Sequence, residues 1–325
     1  MKSKAHQVLE QLYREFHHPQ FLTSDPLWYA HQYKHKADQE VVAFICACFA
    51  FGNVTSIKKT LEFILHKLGD KPAETLMQST SEELSQFSAG FIYRWIQGDD
   101  LALYLYRMGE LLRRYGSLEK CFLHHDQLAG KGVQITDISV PHQAHAQVKN
   151  NVPMKYSVPH ASNVLPRKSS LDNITTGLAG FTAEYQSIHH PQLILRKRIL
   201  VRRNGESTSL SPSANTLLPM VAAGSACKRT FLFMRWVCRP CDGIDLGLWS
   251  VDPSRLVMPV DTHVFQAAKI LRLTSDKSPS LAMAKRLTKR FSRYDSQDPT
   301  RFDFSLTRPG IMGLRDYLKR KIPLP

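Results

Sequence analysis

An aspartate stands at the start of a helical pattern in the segment Pro259-Val260-Asp261-Thr262-His263-Val264-Phe265. The apolar residues here recur at spacings that form one face of a helix, namely Val260, Val264, Ala267, Ala268 and Leu271. Asp261 is therefore expected at or near the helix N-terminus, where its ionised carboxylate can cap free backbone N–H groups. Capping alone is the simplest role for Asp261, and a catalytic carboxylate is the alternative.

Helical spacing also dominates the rest of the chain. Apolar stripes, capping residues and acidic first turns predict helices over residues 38–51, 55–68, 100–115, 171–185, 225–236 and 278–291. The first of these is apolar on nearly all sides, which indicates a central buried helix. Because no internal repeat and no alternating strand pattern emerges, the predicted fold class is all-α.

The helical pattern fails in one region, residues 126–170, which contains scattered prolines and glycines. We expect this region to be an insertion or linker, poorly ordered or folded as a surface appendage. It divides the chain into an N-terminal helical part, residues 1–125, and a C-terminal part, residues 171–325.

Positive charge is concentrated in the C-terminal third. The chain has a net charge of +15, and residues 211–325 contain 19 basic and 9 acidic side chains. A local excess of cations favours a polyanionic partner such as nucleic acid, because each neutralised phosphate releases counterions. A generic basic surface, or association with ribosomes or membranes, is the alternative.

The expected cellular compartment is inferred from two patterns that the sequence does not show. No apolar run reaches the ~18 residues that a membrane span needs, and the N-terminus has no secretory signal. We therefore expect a cytoplasmic protein without a membrane partner. Its six scattered cysteines are expected to be free thiols.

The segment Val260-Asp261-Thr262-His263 resembles the helix-hairpin-helix DNA glycosylases, whose corresponding aspartate is catalytic. The chain is most similar to an uncharacterised bacterial family of that class, and then to its archaeal 8-oxoguanine glycosylase branch. The motifs that carry this similarity are Ser225-Ala226-Cys227-Lys228-Arg229, Phe233-Met234-Arg235-Trp236, Asp245-Leu246-Gly247-Leu248-Trp249, Asp261-Thr262-His263-Val264 and Asp298-Pro299 with Phe302-Asp303-Phe304.

The resemblance covers most of residues 1–125 and 215–311. It implies two helical lobes with a cleft between them, and a monomer that acts on duplex DNA containing a damaged base. It also implies association with the bacterial nucleoid.

Lys228 is the candidate nucleophile. A bifunctional glycosylase uses an amine to attack the sugar C1′ and form a Schiff base, whereas a monofunctional one needs only an aspartate and a water. Lys228 follows a Leu-Pro segment and Gly224, as in the hairpin of this superfamily. Met220 and Ala222 stand where that hairpin has glycines, and the 33 residues between Lys228 and Asp261 exceed the usual separation. Lys228 as an ordinary solvated residue is the alternative.

Other residues are candidates for DNA recognition. Arg229, Arg235, Arg239 and His263 are expected to contact DNA phosphates, and Arg235, Arg239 and His263 are also candidates to orient Asp261. Trp236 and Trp249 are candidates for the walls of a pocket that holds the extruded base. Core packing is the alternative for both tryptophans, since aromatic side chains dominate protein cores.

Cys238-Arg239-Pro240-Cys241 is a C-x-x-C motif, and a redox or metal protein built on it is a third, weaker hypothesis. A structural zinc site would need a second pair of ligands, and a redox pair would lie at a βα junction. The sequence offers neither, so no metal and no cofactor is expected. A non-catalytic DNA- or RNA-binding protein on the same fold is the main alternative to the glycosylase.

Overall fold

The computed structural model describes residues 3–131, 171–188, 214–314 and 316–321. Short 3-10 turns cover Pro19–Ser24, Pro26–Gln32, Val221–Ala223 and Pro253–Arg255. The α-helices of the described residues are α1 (Lys4–Phe16), α2 (Lys36–Cys48), α3 (Val54–Leu68), α4 (Pro72–Gln78), α5 (Ser81–Ser88), α6 (Gly98–Tyr115), α7 (Leu118–Gly130), α8 (Leu171–Ser187), α9 (Ala214–Leu217), α10 (Lys228–Cys238), α11 (Thr262–Ile270), α12 (Leu281–Phe291), α13 (Asp303–Ile311) and α14 (Tyr317–Lys321).

The predicted all-α class is confirmed, because the chain is mostly helical. In the part of the chain that the structure describes, one antiparallel hairpin interrupts the helices, formed by β1 (Ile92–Tyr93) and β2 (Ile96–Gln97). Helix α12 begins later than predicted, because its N-cap is Ser280, whose hydroxyl accepts from the Met283 N–H. None of the helices in the described ranges is both long and apolar enough to cross a membrane.

Helix α2 is the central element of the core, as its continuous apolar sequence predicts. Every residue from Glu40 to Cys48 is buried. Helix α10 packs against α2, and the first residues of α10 lie next to the end of α2. A helix without an exposed face needs partners on all sides. The close approach of these two helix ends produces the site described below.

Two helix pairs bring together parts of the chain that are separate in sequence. Helix α1 packs against α13, so the N-terminal helix contacts a C-terminal one. Helix α8 packs against α7 through small residues, with Gly180 in direct contact with the His125 ring. The boundary predicted at residue 125 lies inside α7, which continues to Gly130. The remainder of the predicted insertion, residues 132–170, lies outside the described residues.

Candidate active site

Lys228 and Asp261 face each other across a pocket. The Lys228 Nζ lies 3.8 Å from the Asp261 Oδ2, and both side chains are partly accessible, at 29% and 20%. Lys228 is the first residue of α10 and Asp261 precedes α11. The structure therefore brings together the two residues that the sequence predicts to act together.

The start of α10 is held against the end of α2. Lys228 Nζ donates to the Ala50 carbonyl at 3.1 Å, and Arg229 donates to the Cys48 carbonyl, also at 3.1 Å. The last carbonyls of a helix lack partners within the helix, and cations stabilise them. Cys227 has a left-handed backbone, with φ of +42°, where the chain turns into α10. These contacts fix the position of Lys228.

The two oxygens of the Asp261 carboxylate have different partners. Its Oδ1 accepts from the Val264 N–H at 2.8 Å and so caps helix α11. Its Oδ2 is the atom that faces Lys228. The capping role predicted from the sequence is confirmed, and the same side chain still has one oxygen directed at the amine.

A pocket of about 490 Å³ surrounds this pair. That volume lies within the range of small-ligand sites, which combine apolar walls with a few polar groups. Its apolar walls include Phe51, Val54, Ile57, Leu232, Val260 and Ile311. Its polar lining includes Asp25, Lys228, Arg235, Asp261, His263, Asp303 and Arg308.

Asp303 is a second carboxyl group in this lining. Its Oδ2 accepts from Arg235 at 2.5 Å, whereas its buried Oδ1 has no hydrogen-bond partner among the described residues. Burial raises the pKa of Asp303 to about 6, with Arg235 opposing this rise and the negative charge of Asp261 adding to it. Asp303 therefore titrates near neutral pH, close to the Lys228–Asp261 pair.

The predicted phosphate contacts of Arg235 and Arg239 are wrong. Both side chains are buried, and Arg235 bridges Asp245 and Asp303 while Arg239 pairs with Asp245 and with Asp298 at 2.6 Å. A buried guanidinium that is surrounded by carboxylates has no surface to offer a phosphate. Arg235 lines the pocket and is linked to Arg239 through their shared partner Asp245.

Arg229 and His263 lie nearer to the pocket. Arg229 is half-buried, and its guanidinium lies 4.9 Å from the centre of the Phe51 ring besides its bonds to carbonyls. This arginine is thus engaged in internal contacts. His263 is part of the pocket lining and packs against Gly310 of α13, where there is no room for a side chain.

The predicted base-pocket tryptophans lie in the core. Trp236 has no accessible surface, and Trp249 is buried between the Phe122 and Phe233 rings. The Trp249 indole donates to Glu40 of α2 at 2.7 Å. Neither tryptophan lines the pocket around Lys228, so core packing, the alternative role, is correct.

The C-x-x-C cysteines have different surroundings. Cys238 is buried, Cys241 is exposed, and all six cysteines are free. Within the described ranges, the donor set that most resembles a metal site lies elsewhere, at Cys121, His125 and Glu184. There the His125 Nε2 lies 2.6 Å from the Glu184 Oε2, and the Tyr115 hydroxyl donates to the same oxygen. The Glu184 Oε2 is thus engaged by these two protein hydrogen bonds, while the buried His125 Nδ1 has no hydrogen-bond partner among the described residues.

The sequence does not predict that three parts of the chain line this pocket. Phe51 follows the end of α2, and Asp25 pairs with Arg308 at 2.8 Å although 283 residues separate them. Asp303 stands in a recognised motif, but its sequence gives no sign that it lies beside Asp261. Local patterns carry no information on such long-range neighbours.

A family model matches the chain at residues 25–164 and 149–312, which include most of its length. The chain belongs to this family. The description of the family is protein of unknown function, DUF2400. No curated protein and no solved structure matches the chain.

Proposed function

We propose that this protein is a DNA glycosylase that removes a damaged base and uses Lys228 to form a Schiff base with the sugar. The observation that carries the proposal is the 3.8 Å approach of the Lys228 Nζ to the Asp261 Oδ2 within a pocket of about 490 Å³. An amine beside a carboxylate is the pair that this chemistry requires.

The reaction begins with transfer of a proton from the Lys228 ammonium group to the Asp261 Oδ2. The neutral amine then attacks the sugar C1′ as the N-glycosidic bond breaks and its electron pair leaves with the base, which takes up a proton. Opening of the sugar ring gives an iminium between Nζ and C1′, while the ring oxygen becomes a hydroxyl. In the AP-lyase step the iminium loses a proton from C2′, the C2′–C3′ double bond forms, and the C3′–O bond breaks so that the 3′ phosphate leaves with its strand.

The lining of the pocket supports a nucleobase as the group that enters it. Phe51, Val54 and Ile57 form an apolar side, and the polar side chains lie around Lys228 and Asp261. An extruded base needs both, because it is held by apolar contact on its faces and by hydrogen bonds on its edges.

Borohydride trapping tests the role of Lys228. Reduction of the Schiff base should give a covalent protein–DNA adduct on at least one oligonucleotide from a panel of lesions. Lys228→Gln should abolish the adduct while DNA affinity changes little. Lys120→Gln is the matched control, because it removes the same charge from an exposed position on α7 and should leave trapping intact.

Asp261→Asn separates the charge of this residue from its capping role. Asparagine caps helices about as well as aspartate, so the variant should fold normally. Base release should fall by about 10²–10⁴-fold, the usual scale of acid–base catalysis. Single-turnover release of the base is the measurement.

A folded Lys228→Gln protein that still forms the adduct would remove Lys228 from the mechanism. Wild-type protein that neither traps nor releases any base would contradict the glycosylase proposal. The non-catalytic nucleic-acid-binding protein would then be the better description.

A further inference from the structure

The hairpin β1–β2 exposes apolar surface that its own fold does not need. Ile92 is 74% exposed and Trp95 is 42% exposed, while Tyr93 and Ile96 on the inner face are buried. Large apolar side chains at this level of exposure are few in the described part of the chain, and Val54, another of them, lines the pocket. Exposed apolar surface beside a pocket indicates an interaction site.

The hairpin is attached directly to the rim of the pocket. The Trp95 ring stacks on Phe51 with centroids 5.2 Å apart and planes at 27°, and Phe51 lines the pocket. The Tyr93 hydroxyl donates to the Phe51 carbonyl. The Trp95 indole N–H donates to the Thr216 hydroxyl at 2.9 Å, which fixes the orientation of the ring. The exposed indole is therefore rigid and adjacent to the Lys228–Asp261 pocket.

Arg94 completes this surface at the turn of the hairpin. Its guanidinium lies 5.1 Å from the centre of the Trp95 ring, and it forms no ion pair with a carboxylate of the described residues. Its φ of +56° places a long side chain in a conformation that favours glycine. This positive φ is the one that the first residue of a two-residue hairpin turn requires, so the turn holds Arg94 at the tip of the hairpin.

We propose that Ile92, Arg94 and Trp95 form a stacking surface for an unpaired nucleobase next to the nucleotide in the pocket. An aromatic ring with an arginine beside it binds any base through its face, without reading its edge. The cation at the tip of the hairpin matches the negative charge of the nucleic-acid backbone. A base within an intact duplex hides its faces, so the protein should prefer single-stranded or bulged DNA to fully paired DNA.

This inference rests on the proposed function only in taking nucleic acid as the ligand, and binding to undamaged DNA tests it without any catalysis. Fluorescence anisotropy would compare a single strand, a duplex with a two-nucleotide bulge and a fully paired duplex of the same sequence. Trp95→Ala should weaken binding to the first two by about 5- to 150-fold, the range measured for loss of one stacked base. Binding to the paired duplex should change little.

Matched variants distinguish the loss of a contact with DNA from a general loss of the folded structure. Ile92→Ala should weaken the same two interactions to a smaller degree, and Trp95→Phe should retain most of the affinity. Met77→Ala removes an exposed apolar side chain from α4 and should change none of the three affinities.

Two outcomes would overturn the proposal. One is unchanged affinity of folded Trp95→Ala for single-stranded DNA, and the other is an equal loss for all three ligands. Wild-type protein that neither traps nor releases any base would refute the glycosylase and leave the stacking surface standing. Normal trapping without an effect of Trp95→Ala would refute the stacking surface alone.

Discussion

Two carboxyl groups near one amine have different tasks at the scale of single residues. Asp261 is partly accessible and faces Lys228, whereas Asp303 is buried and faces Arg235. Burial disfavours the charged form of a carboxyl group, and it raises the pKa of Asp303. Asp303 therefore changes charge near neutral pH and alters the field that acts on Asp261.

The raised pKa of Asp303 has a consequence for stability. An acid whose pKa is higher in the folded state than in the unfolded state takes up its proton on folding, which favours the folded state as the pH falls. From pH 7 to pH 5, through the folded pKa of about 6, the wild type should therefore gain stability relative to Asp303→Asn. Urea unfolding of both proteins at several pH values gives this difference.

Because the comparison is between two proteins, the titration of all other groups cancels to first order. A difference in unfolding free energy that stays constant from pH 7 to pH 5 would contradict the assigned pKa of Asp303. If the wild type instead loses stability relative to Asp303→Asn as the pH falls, the pKa of Asp303 is lowered by folding and not raised.

Secondary-structure elements differ in how far the sequence predicts them. Helices α3 and α6 begin and end close to their predicted positions, because capping residues, acidic first turns and terminal glycines lie in the local sequence. The hairpin β1–β2 is absent from the sequence-based prediction, since strands of two residues are too short to show alternation. This hairpin forms because Tyr93 and Ile96 bury themselves against distant elements.

The sequence predicts the candidate site only in part for the same reason. Lys228 and Asp261 lie in recognisable motifs, and the structure brings them together. The burial of Arg235 depends on Asp303, which is 68 positions away along the chain, and that of Arg239 depends on Asp298, which is 59 positions away. Periodicity places a residue on a helix face, but it does not identify the partner that covers that face.

Gly52 joins the hairpin to the pocket. Its φ is +107°, and a Cβ at this position would come within 2.8 Å of the Tyr93 hydroxyl oxygen. Gly52→Ala should therefore lower the free energy of unfolding by about 1–3 kcal/mol, the scale of local backbone strain, and should displace the hairpin from the rim. Thermal and urea unfolding give the loss of stability.

Gly69→Ala is the matched control. Gly69 also has a positive φ, of +72°, but a Cβ added there would have no atom of the described residues within 4 Å beyond its own neighbours in the chain. The loss in unfolding free energy of Gly69→Ala should therefore come from backbone strain alone. The loss caused by Gly52→Ala should recover in part when it is measured in a Tyr93→Phe background, since the contacted oxygen is absent from both proteins of that pair. Equal losses for both glycines, without recovery, would show that the contact is unimportant.

At the scale of the whole molecule, the charge on the surface is distributed differently from the charge counted along the sequence. Four arginines are buried and paired with aspartates, namely Arg235, Arg239, Arg255 and Arg308. These cations contribute to the count for the C-terminal region but not to its outer surface. Among the described residues of the C-terminal third, exposed cations lie on α11, on α12 and in the turn after α12, and we expect these to attract the proposed polyanion.

This distribution predicts which cations control the salt dependence of DNA binding. Neutralising Lys269, Lys289 and Arg293 together should reduce the slope of log affinity against log salt by about 2–3, because each phosphate contact contributes about 0.9. Neutralising three exposed lysines of the N-terminal half, Lys34, Lys71 and Lys120, is the control and should leave the slope nearly unchanged. Similar effects of both triple variants would contradict a basic face confined to the C-terminal third.

The double engagement of Asp261 has a final consequence for the whole molecule. The hydrogen bond from the Val264 N–H restricts the rotamer of the carboxylate as soon as α11 forms. The proposed proton transfer from Lys228 then costs little additional side-chain entropy, because folding has already ordered the carboxylate. The Oδ2 that faces Lys228 is held in position by the backbone of a helix, so its orientation depends on the fold rather than on the arrival of a ligand.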